Sequence, residues 1–314
     1  MTVVVPAYNE EKRLIGMLEE AVNYLENEYG TLSSAPPVPE KDMSDTSTAR
    51  YRKTKPTANG TPTPTPSTRR RGWELLLVDD GSNDRTLEVA HQFSRTHLLP
   101  AHPRRLSGPW TRSDGAPAVN IPAGAIRMVS LAKNRGKGGA VTHGMRHARG
   151  EYVVFADADG ASRFSDLGKL VASAQNAADT EGRAVAVGSR AHLVGSEAVV
   201  KRSKLRNFLM HSFHLLLKLM TPPHTARIKD TQCGFKLFSR ASLPYIVPHM
   251  HTEGWIFDVE MLMLAEFAGI PVVEVAIGWR EVLGSKLNVV KDSIGMAWGL
   301  AILRVCWGLG IYRR

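Results

Sequence analysis

The nine residues Tyr152-Val153-Val154-Phe155-Ala156-Asp157-Ala158-Asp159-Gly160 constrain the fold more than any other stretch of the chain. An apolar run without polar alternation predicts a strand buried on both faces, at the centre of a parallel sheet. Residues two apart on a strand share a face, so Asp157 and Asp159 can converge at its carboxyl end. In open α/β sheets, ligands bind outside that end. Two hard oxygen ligands there suit Mg²⁺ or Mn²⁺ bridging to a diphosphate. A plain Asp/Gly turn is the competing reading of the same residues. The rest of the chain decides between the two.

Residues 2–6 predict a short β-branched strand ending at Pro6, with Tyr8 just beyond it. Asn9 is expected to cap a helix that carries Glu10 and Glu11 in its first turn, and Leu14, Met17, Leu18, Ala21, Val22 and Leu25 on its apolar face. Residues 73–78 predict a second strand, ending in Asp79-Asp80-Gly81-Ser82, with a helix from about Asp84 to about Arg95. A third strand over 126–131 leads through Asn134-Arg135-Gly136-Lys137-Gly138-Gly139 into a helix over 140–148. A helix over 166–178 and a strand over 184–188, ending in Ser189-Arg190, complete the pattern. Strands and helices in alternation predict βαβ units. Polar clusters then fall at five strand ends: Pro6/Tyr8, Asp79/Asp80, Asn134/Lys137, Asp157/Asp159 and Arg190. Five clusters on one rim argue for a site and against chance turns. The glycine loop is not a dinucleotide fingerprint, because position 141 is Val, and Lys137 lacks the following Ser or Thr of a Walker A loop. It reads either as a helix entrance or as a backbone approach to a nucleotide, with Lys137 or Arg135 beside it.

The net charge of +10 raises the possibility of nucleic-acid binding, so its location matters. Residues 33–71 hold eight basic and three acidic residues, a surplus of five and half the total. This segment is rich in Pro, Thr and Ser and reads as a disordered insertion, so much of the basicity lies off the folded surface. The carboxylate-lined rim argues against a nucleic-acid partner. Residues 98–124 read as a second Pro/Gly-interrupted loop. Cys233 and Cys306 make no disulfide framework, which predicts a reducing compartment. No apolar run reaches the roughly 18 residues of a membrane span, and the chain opens on a strand with no signal peptide ahead of it. Lys201, Arg202, Lys204 and Arg206 precede an apolar helix over 208–220, and a second apolar segment covers 294–311 with Trp298, Arg304 and Trp307. Each segment fits a helix lying in a lipid interface and fits a buried core helix equally well. The expected organisation is one domain over 1–290 and a terminal apolar helix over 291–314.

Together, the motifs Val3-Val4-Val5-Pro6-Ala7-Tyr8-Asn9-Glu10, Val78-Asp79-Asp80-Gly81-Ser82, Asn134-Arg135-Gly136-Lys137-Gly138 and Asp157-Ala158-Asp159-Gly160 resemble glycosyltransferase family 2. Three later stretches, 230–236, 255–260 and 279–286, are similar to the dolichyl-phosphate β-glucosyltransferases of that family. The resemblance covers 2–32, 72–97 and 126–290. It implies a GT-A fold: a Rossmann-like, mostly parallel sheet flanked by helices, here with C-terminal membrane-interface helices. It also implies inverting transfer of glucose from UDP-glucose to dolichyl phosphate at the cytosolic face of the endoplasmic reticulum membrane. Carried over by motif, Pro6, Tyr8, Glu10, Asp79, Asp80 and Lys137 would bind the nucleotide sugar, and Asp157 and Asp159 the metal diphosphate. Arg190, Arg202 and Lys286 would bind the acceptor phosphate, with Asp159, Asp258 and Lys286 as the catalytic set. Asp258 and Glu260 stand where relatives place a catalytic carboxylate. The acceptor oxygen is already anionic, however, so they are expected to orient the sugar or position Lys286. Two features depart from the pattern. Members usually carry an N-terminal membrane span before the first strand, whereas this sequence opens on the strand, as expected either of a truncated chain or of one held by interfacial helices. The 33–71 insertion is also atypical. A mannose synthase using GDP-mannose is the nearest alternative, and a basic nucleic-acid-binding module the alternative from another class. No Gln-x-x-Arg-Trp of a processive synthase occurs near the C-terminus.

Overall fold

A computed structural model describes residues 1–30, 72–98, 125–193, 212–213, 215–282 and 289–312. Its centre is a seven-stranded sheet, built from β1 (Thr2–Ala7), β2 (Glu74–Asp79), β3 (Ile126–Ser130), β4 (Tyr152–Ala156), β5 (Val185–Ser189), β6 (Phe235–Ser239) and β7 (Val272–Ala276). The order is β3-β2-β1-β4-β6-β5-β7. β1 to β4 run parallel, β6 is antiparallel to both β4 and β5, and β7 is parallel to β5. The carboxyl ends of β1, β2, β3, β4 and β5 therefore share one rim.

The longer helices among the described residues are α1 (Leu14–Tyr29), α2 (Thr86–Leu98), α3 (Gly136–Arg146), α4 (Leu167–Ala177), α5 (Phe257–Phe267) and α6 (Val289–Gly308). The period-two alternation of the strands divides their side chains between two cores. Val3, Val5, Leu75 and Leu77 pack under Leu14, Leu18 and Leu25 of α1 and Leu167 and Leu170 of α4. Val4, Leu76, Val78, Val153 and Phe155 pack under Val141 and Met145 of α3 and Phe257 and Met261 of α5. Because both faces are covered, the central strands read as unbroken apolar runs. A third cluster joins Phe213 and Leu217 to Val259 and Met263 of α5 and Leu300 and Leu303 of α6. The opposite sides of these peripheral helices are bare, with Leu219, Ile294, Trp298 and Leu309 each at least 65% exposed.

The first four strands lie where the sequence places them, with ends moved by a residue or so. Asn9 does not cap α1. It takes a left-handed conformation, φ 55°, and α1 starts at Leu14 with Arg13 at its N-cap. Residues 9–11 are bonded instead to the loop after β2: Asn9 N–H to Ser82 Oγ at 2.8 Å, Glu10 N–H to Thr86 Oγ1 at 2.7 Å and Glu11 N–H to Asp84 at 3.2 Å. Long-range bonds thus outcompete the local cap. α3 starts at Gly136, earlier than expected, because the backbone of Glu253 approaches the glycine loop. A Cβ at Gly136 would stand 2.6 Å from its carbonyl oxygen. β6 and β7 have no counterpart in the sequence reading. β6 carries a lysine at its second position, and β7 is a half-covered edge strand.

Glu20 of α1 accepts the Phe164 N–H at 2.6 Å. Burial pushes its carboxyl up to about 7 from 4.5, partly offset by that N–H and by Arg163. Between those values the folded protein keeps a proton that the unfolded chain releases, so stability falls as pH rises through the window. Glu20→Gln keeps an acceptor and carries no charge. It is expected to raise Tm at pH 8 by about 2–4 °C, ~1 kcal/mol in a protein this size, and to leave Tm at pH 4 unchanged. Thermal melts at the two pH values check this, and an equal gain at both would contradict it.

Candidate active site

The first wall of the rim is made by the loops after β1 and β2. Besides the bonds from residues 9–11, Asn83 N–H donates to Asn9 Oδ1 at 2.8 Å, so the two loops form one unit. Asp79 lies at the base of that wall, 1% exposed, and accepts the Ser82 N–H and the Ser130 hydroxyl. Tyr8 is 38% exposed, and Pro6 is buried. Glu10 is held by Arg13 in a two-toothed pair at 2.6 and 2.7 Å. Asp80 has a different task. It accepts the Arg135 N–H at 2.7 Å, while its carbonyl accepts Asn134 Nδ2 at 3.0 Å. Burial raises its pKa, opposed by that N–H. Asp80 therefore pins the 134–136 loop and Asp79 faces the wall.

Asp157 and Asp159 follow β4 at the middle of the rim. Lys137, from the first turn of α3, places its ammonium 2.7 Å from Asp157 Oδ1 and lies over the Trp255 ring at 5.8 Å. Burial opposes the charge of Lys137, but Asp157, Asp258 and Asp159 hold its pKa above the ordinary value. Asp159 Oδ1 accepts the Ala161 N–H at 3.0 Å, and its Oδ2 is 3.7 Å from Arg13. Burial first, and the neighbouring Asp157 second, raise the Asp159 carboxyl. Adjacent carboxylates, one of which raises the other's pKa, fit a cation between them. Asp157 Oδ1 is buried and is met by the Lys137 ammonium at 2.7 Å, so an ion bound here would share that oxygen with Lys137. No group of three or more His, Cys, Asp or Glu side chains gathers for a metal among the described residues. A divalent ion held here would therefore complete its shell with oxygens from a ligand or water.

The second half of the chain builds the floor. Lys236 of β6 has no exposed surface and its ammonium bonds Asp258 of α5. The same ammonium donates to the Cys233 carbonyl at 2.7 Å. Burial raises the Asp258 carboxyl, opposed by Lys236 and then Lys137. Glu260, two residues on and fully buried, accepts the N–H groups of His251 and Thr252, so it holds the 251–252 segment. The glycine loop docks on the same segment: Gly138 N–H donates to the Glu253 carbonyl at 2.8 Å, and a Cβ at Gly138 would meet Phe257 at 2.6 Å. Its glycines are thus needed for packing against residues 253–257.

Arg190, at the end of β5, is bound by Asp230 through Nε at 2.7 Å and Nη2 at 2.8 Å and lies over Trp279. Burial pushes against its charge and Asp230 restores it, raising the pKa above the ordinary value. The segment after Asp159 is tied to the segment after β7, with Arg163 N–H donating to the Gly278 carbonyl and Arg280 N–H to that of Ala161, both at 2.9 Å. Lys137, Asp157 and Asp159 gather at the end of β4, while Asp79 ends β2 and Arg190 follows β5 elsewhere on the same rim. Arg202 and Lys286 lie outside the described residues. Lys236, Asp230, Arg13 and Gly234 were missed. The stretch 230–236 was legible as a motif, but nothing local marks its lysine as buried or its glycine as a neighbour of Asp157.

Residues 67–244 match Glycosyl transferase family 2. The chain belongs to that family. Among curated members, this family-2 chain is 38% identical over 319 residues to dolichyl-phosphate beta-glucosyltransferase of Saccharomyces cerevisiae, spanning 100% of this chain and 76% of the relative. It is 34% identical over 314 residues to the Homo sapiens protein of the same name, spanning 100% and 77%. Of solved structures, glucosyl-3-phosphoglycerate synthase from Mycobacterium tuberculosis with Mn²⁺, uridine-diphosphate and glucosyl-3-phosphoglycerate superposes with TM-score 0.55 at 15% identity, over 96% of this chain and 78% of that one. The same enzyme with Mg²⁺ and uridine-diphosphate gives 0.54, also at 15% identity, over 96% and 78%. At that identity the likeness establishes the fold, which is GT-A.

Proposed function

We propose that this family-2 glycosyltransferase moves glucose from UDP-glucose to dolichyl phosphate, inverting the anomeric carbon and releasing UDP. The observation that supports this most strongly is the full-length similarity to curated dolichyl-phosphate β-glucosyltransferases, at 38% identity for the yeast relative. In this reading the uridine lies against the wall of Pro6, Tyr8, Glu10 and Asp79, and Asp157 and Asp159 hold Mg²⁺ or Mn²⁺ at the diphosphate. That ion supplies charge neutralisation for the departing UDP. Lys137, aimed at the same carboxylates, adds a cation beside the diphosphate. An oxygen of the acceptor phosphate attacks the anomeric carbon as its bond to the UDP oxygen breaks. The attacking oxygen is anionic, so no side chain has to remove a proton from it. Asp258, committed to Lys236, fits that requirement. Arg190 with Arg202 and Lys286 supplies the cations for the acceptor phosphate.

The acceptor is a lipid, and the bare faces of the peripheral helices suit a membrane surface. Ile294, Trp298, Val305, Leu309 and Ile311 are exposed over the C-terminal region, and Leu215 and Leu219 on the helix over 215–220. No helix among the described residues is long and apolar enough to cross a bilayer. The exposed side chains therefore fit seating in the interface, at the cytosolic face of the endoplasmic reticulum membrane.

The test is donor choice. With dolichyl phosphate as acceptor, UDP-glucose is expected to exceed both UDP-N-acetylglucosamine and GDP-mannose by at least about a hundredfold in kcat/KM, ~2.7 kcal/mol. Preference for GDP-mannose would make the protein a mannose synthase and overturn the proposal.

A further inference from the structure

Lys236 occupies the second position of β6 with no exposed surface. A buried ammonium is costly unless opposite charge and hydrogen bonds meet it. A strand that needed only to pair would carry an apolar residue at that position. The ammonium of Lys236 is met by Asp258, by the Cys233 carbonyl at 2.7 Å and by the Phe155 ring at 5.2 Å.

Both polar partners lead to the same carboxylate. Cys233 precedes Gly234, whose carbonyl accepts the Asp157 N–H at 3.0 Å. The Asp157 carboxylate lies so close over Gly234 that a Cβ there would be 1.9 Å from Oδ2. On the other side, Asp258 acts electrostatically on Lys137, whose ammonium stands 2.7 Å from Asp157 Oδ1. Charges alternate from the core to the rim in the order Lys236, Asp258, Lys137, Asp157. One oxygen of Asp157 thus lies close against Gly234, beside Lys236, and the other meets the ion chain that begins at Lys236.

We infer that Lys236 is a positioning residue that fixes the carboxylate of Asp157 for the metal diphosphate, through Cys233–Gly234 on one side and through Asp258 and Lys137 on the other. The inference rests on the proposed function only in giving Asp157 a metal diphosphate to hold. Asp258 is then the counter-charge of this chain and does not accept a proton in the reaction.

The experiment compares the parent with Lys236→Met and with the double variant Lys236→Met/Asp258→Leu. The single variant leaves a buried carboxylate unpaired and is prone to misfold. The double variant replaces the whole pair by apolar groups, a change that buried ion pairs often tolerate without loss of stability. Binding of Mn²⁺ in the presence of UDP is read from the electron paramagnetic resonance of the free ion, beside thermal melts and turnover. The double variant is expected to melt close to the parent. Its Mn²⁺ affinity should be weaker by at least about tenfold, ~1.4 kcal/mol, with turnover lower by a similar factor or more. A double variant that melts like the parent and binds Mn²⁺ as tightly would overturn the inference. A parent that binds Mn²⁺ with UDP but glucosylates no dolichyl phosphate would overturn the functional proposal instead, and the affinity comparison would still decide the role of Lys236.

Discussion

Asp159→Asn is expected to lower glucosyl transfer by at least about a thousandfold, ~4 kcal/mol of barrier, in a protein that melts no lower than the parent. The substitution keeps Oδ1, which accepts the Ala161 N–H at 3.0 Å, so the turn after β4 survives. It removes the negative charge of the carboxylate, whose Oδ2 stands 3.7 Å from Arg13. Because burial and Asp157 both disfavour the charge of Asp159, its loss does not weaken the empty protein. The loss falls on transfer, where the departing UDP needs its charge neutralised. Product formation at saturating Mg²⁺ or Mn²⁺, measured beside a melting curve, checks both halves. Near-parental turnover would remove Asp159 from the metal site.

Gly234→Ala is expected to lower turnover by about a hundredfold while costing about 1–3 kcal/mol of stability, as overpacking does. Gly234 is not among the residues with positive φ, so alanine meets no backbone strain there. Its Cβ would, however, stand 1.9 Å from Oδ2, 2.2 Å from Cγ and 2.4 Å from Oδ1 of Asp157. The carboxylate has to move, and displacements of about 1 Å in a reacting assembly cost on the order of a hundredfold. A control separates the site from the core. At Gly144 of α3 a Cβ would meet Val4 Cγ1 at 2.4 Å and Val78 Cγ2 at 3.1 Å, strictly within the apolar layer. Gly144→Ala is expected to cost comparable stability and to change turnover only a few-fold. Equal losses of turnover in both variants would mean that Gly234 acts through stability alone.

The division of labour between local pattern and tertiary structure is visible residue by residue. The apolar runs of β1, β2, β3 and β4, the polar clusters at their ends and the pairing of Asp157 with Asp159 were all legible in the linear sequence. They depend on periodicities of two and 3.6 residues, which a chain displays over a few neighbours. The family motifs were legible for the same reason, being short and contiguous. The roles inside those motifs were not. The sequence does not distinguish Asp79 from Asp80, yet one accepts the Ser130 hydroxyl and the other holds the Arg135 N–H. Asn9 looks like a helix cap but bonds the loop after β2, more than 70 residues away. Arg190 is drawn to Asp230, 40 residues on, before any ligand arrives. Lys236 looks like an ordinary polar residue of the 230–236 motif and proves to be buried against Asp258, 22 residues distant. Which charge neutralises which depends on contacts between elements far apart in the chain. Burial raises the cost of a charge without such a partner by several kcal/mol. Local composition therefore determined where the site is, and only the packing of β6 and α5 against β4 decided how its charges are arranged.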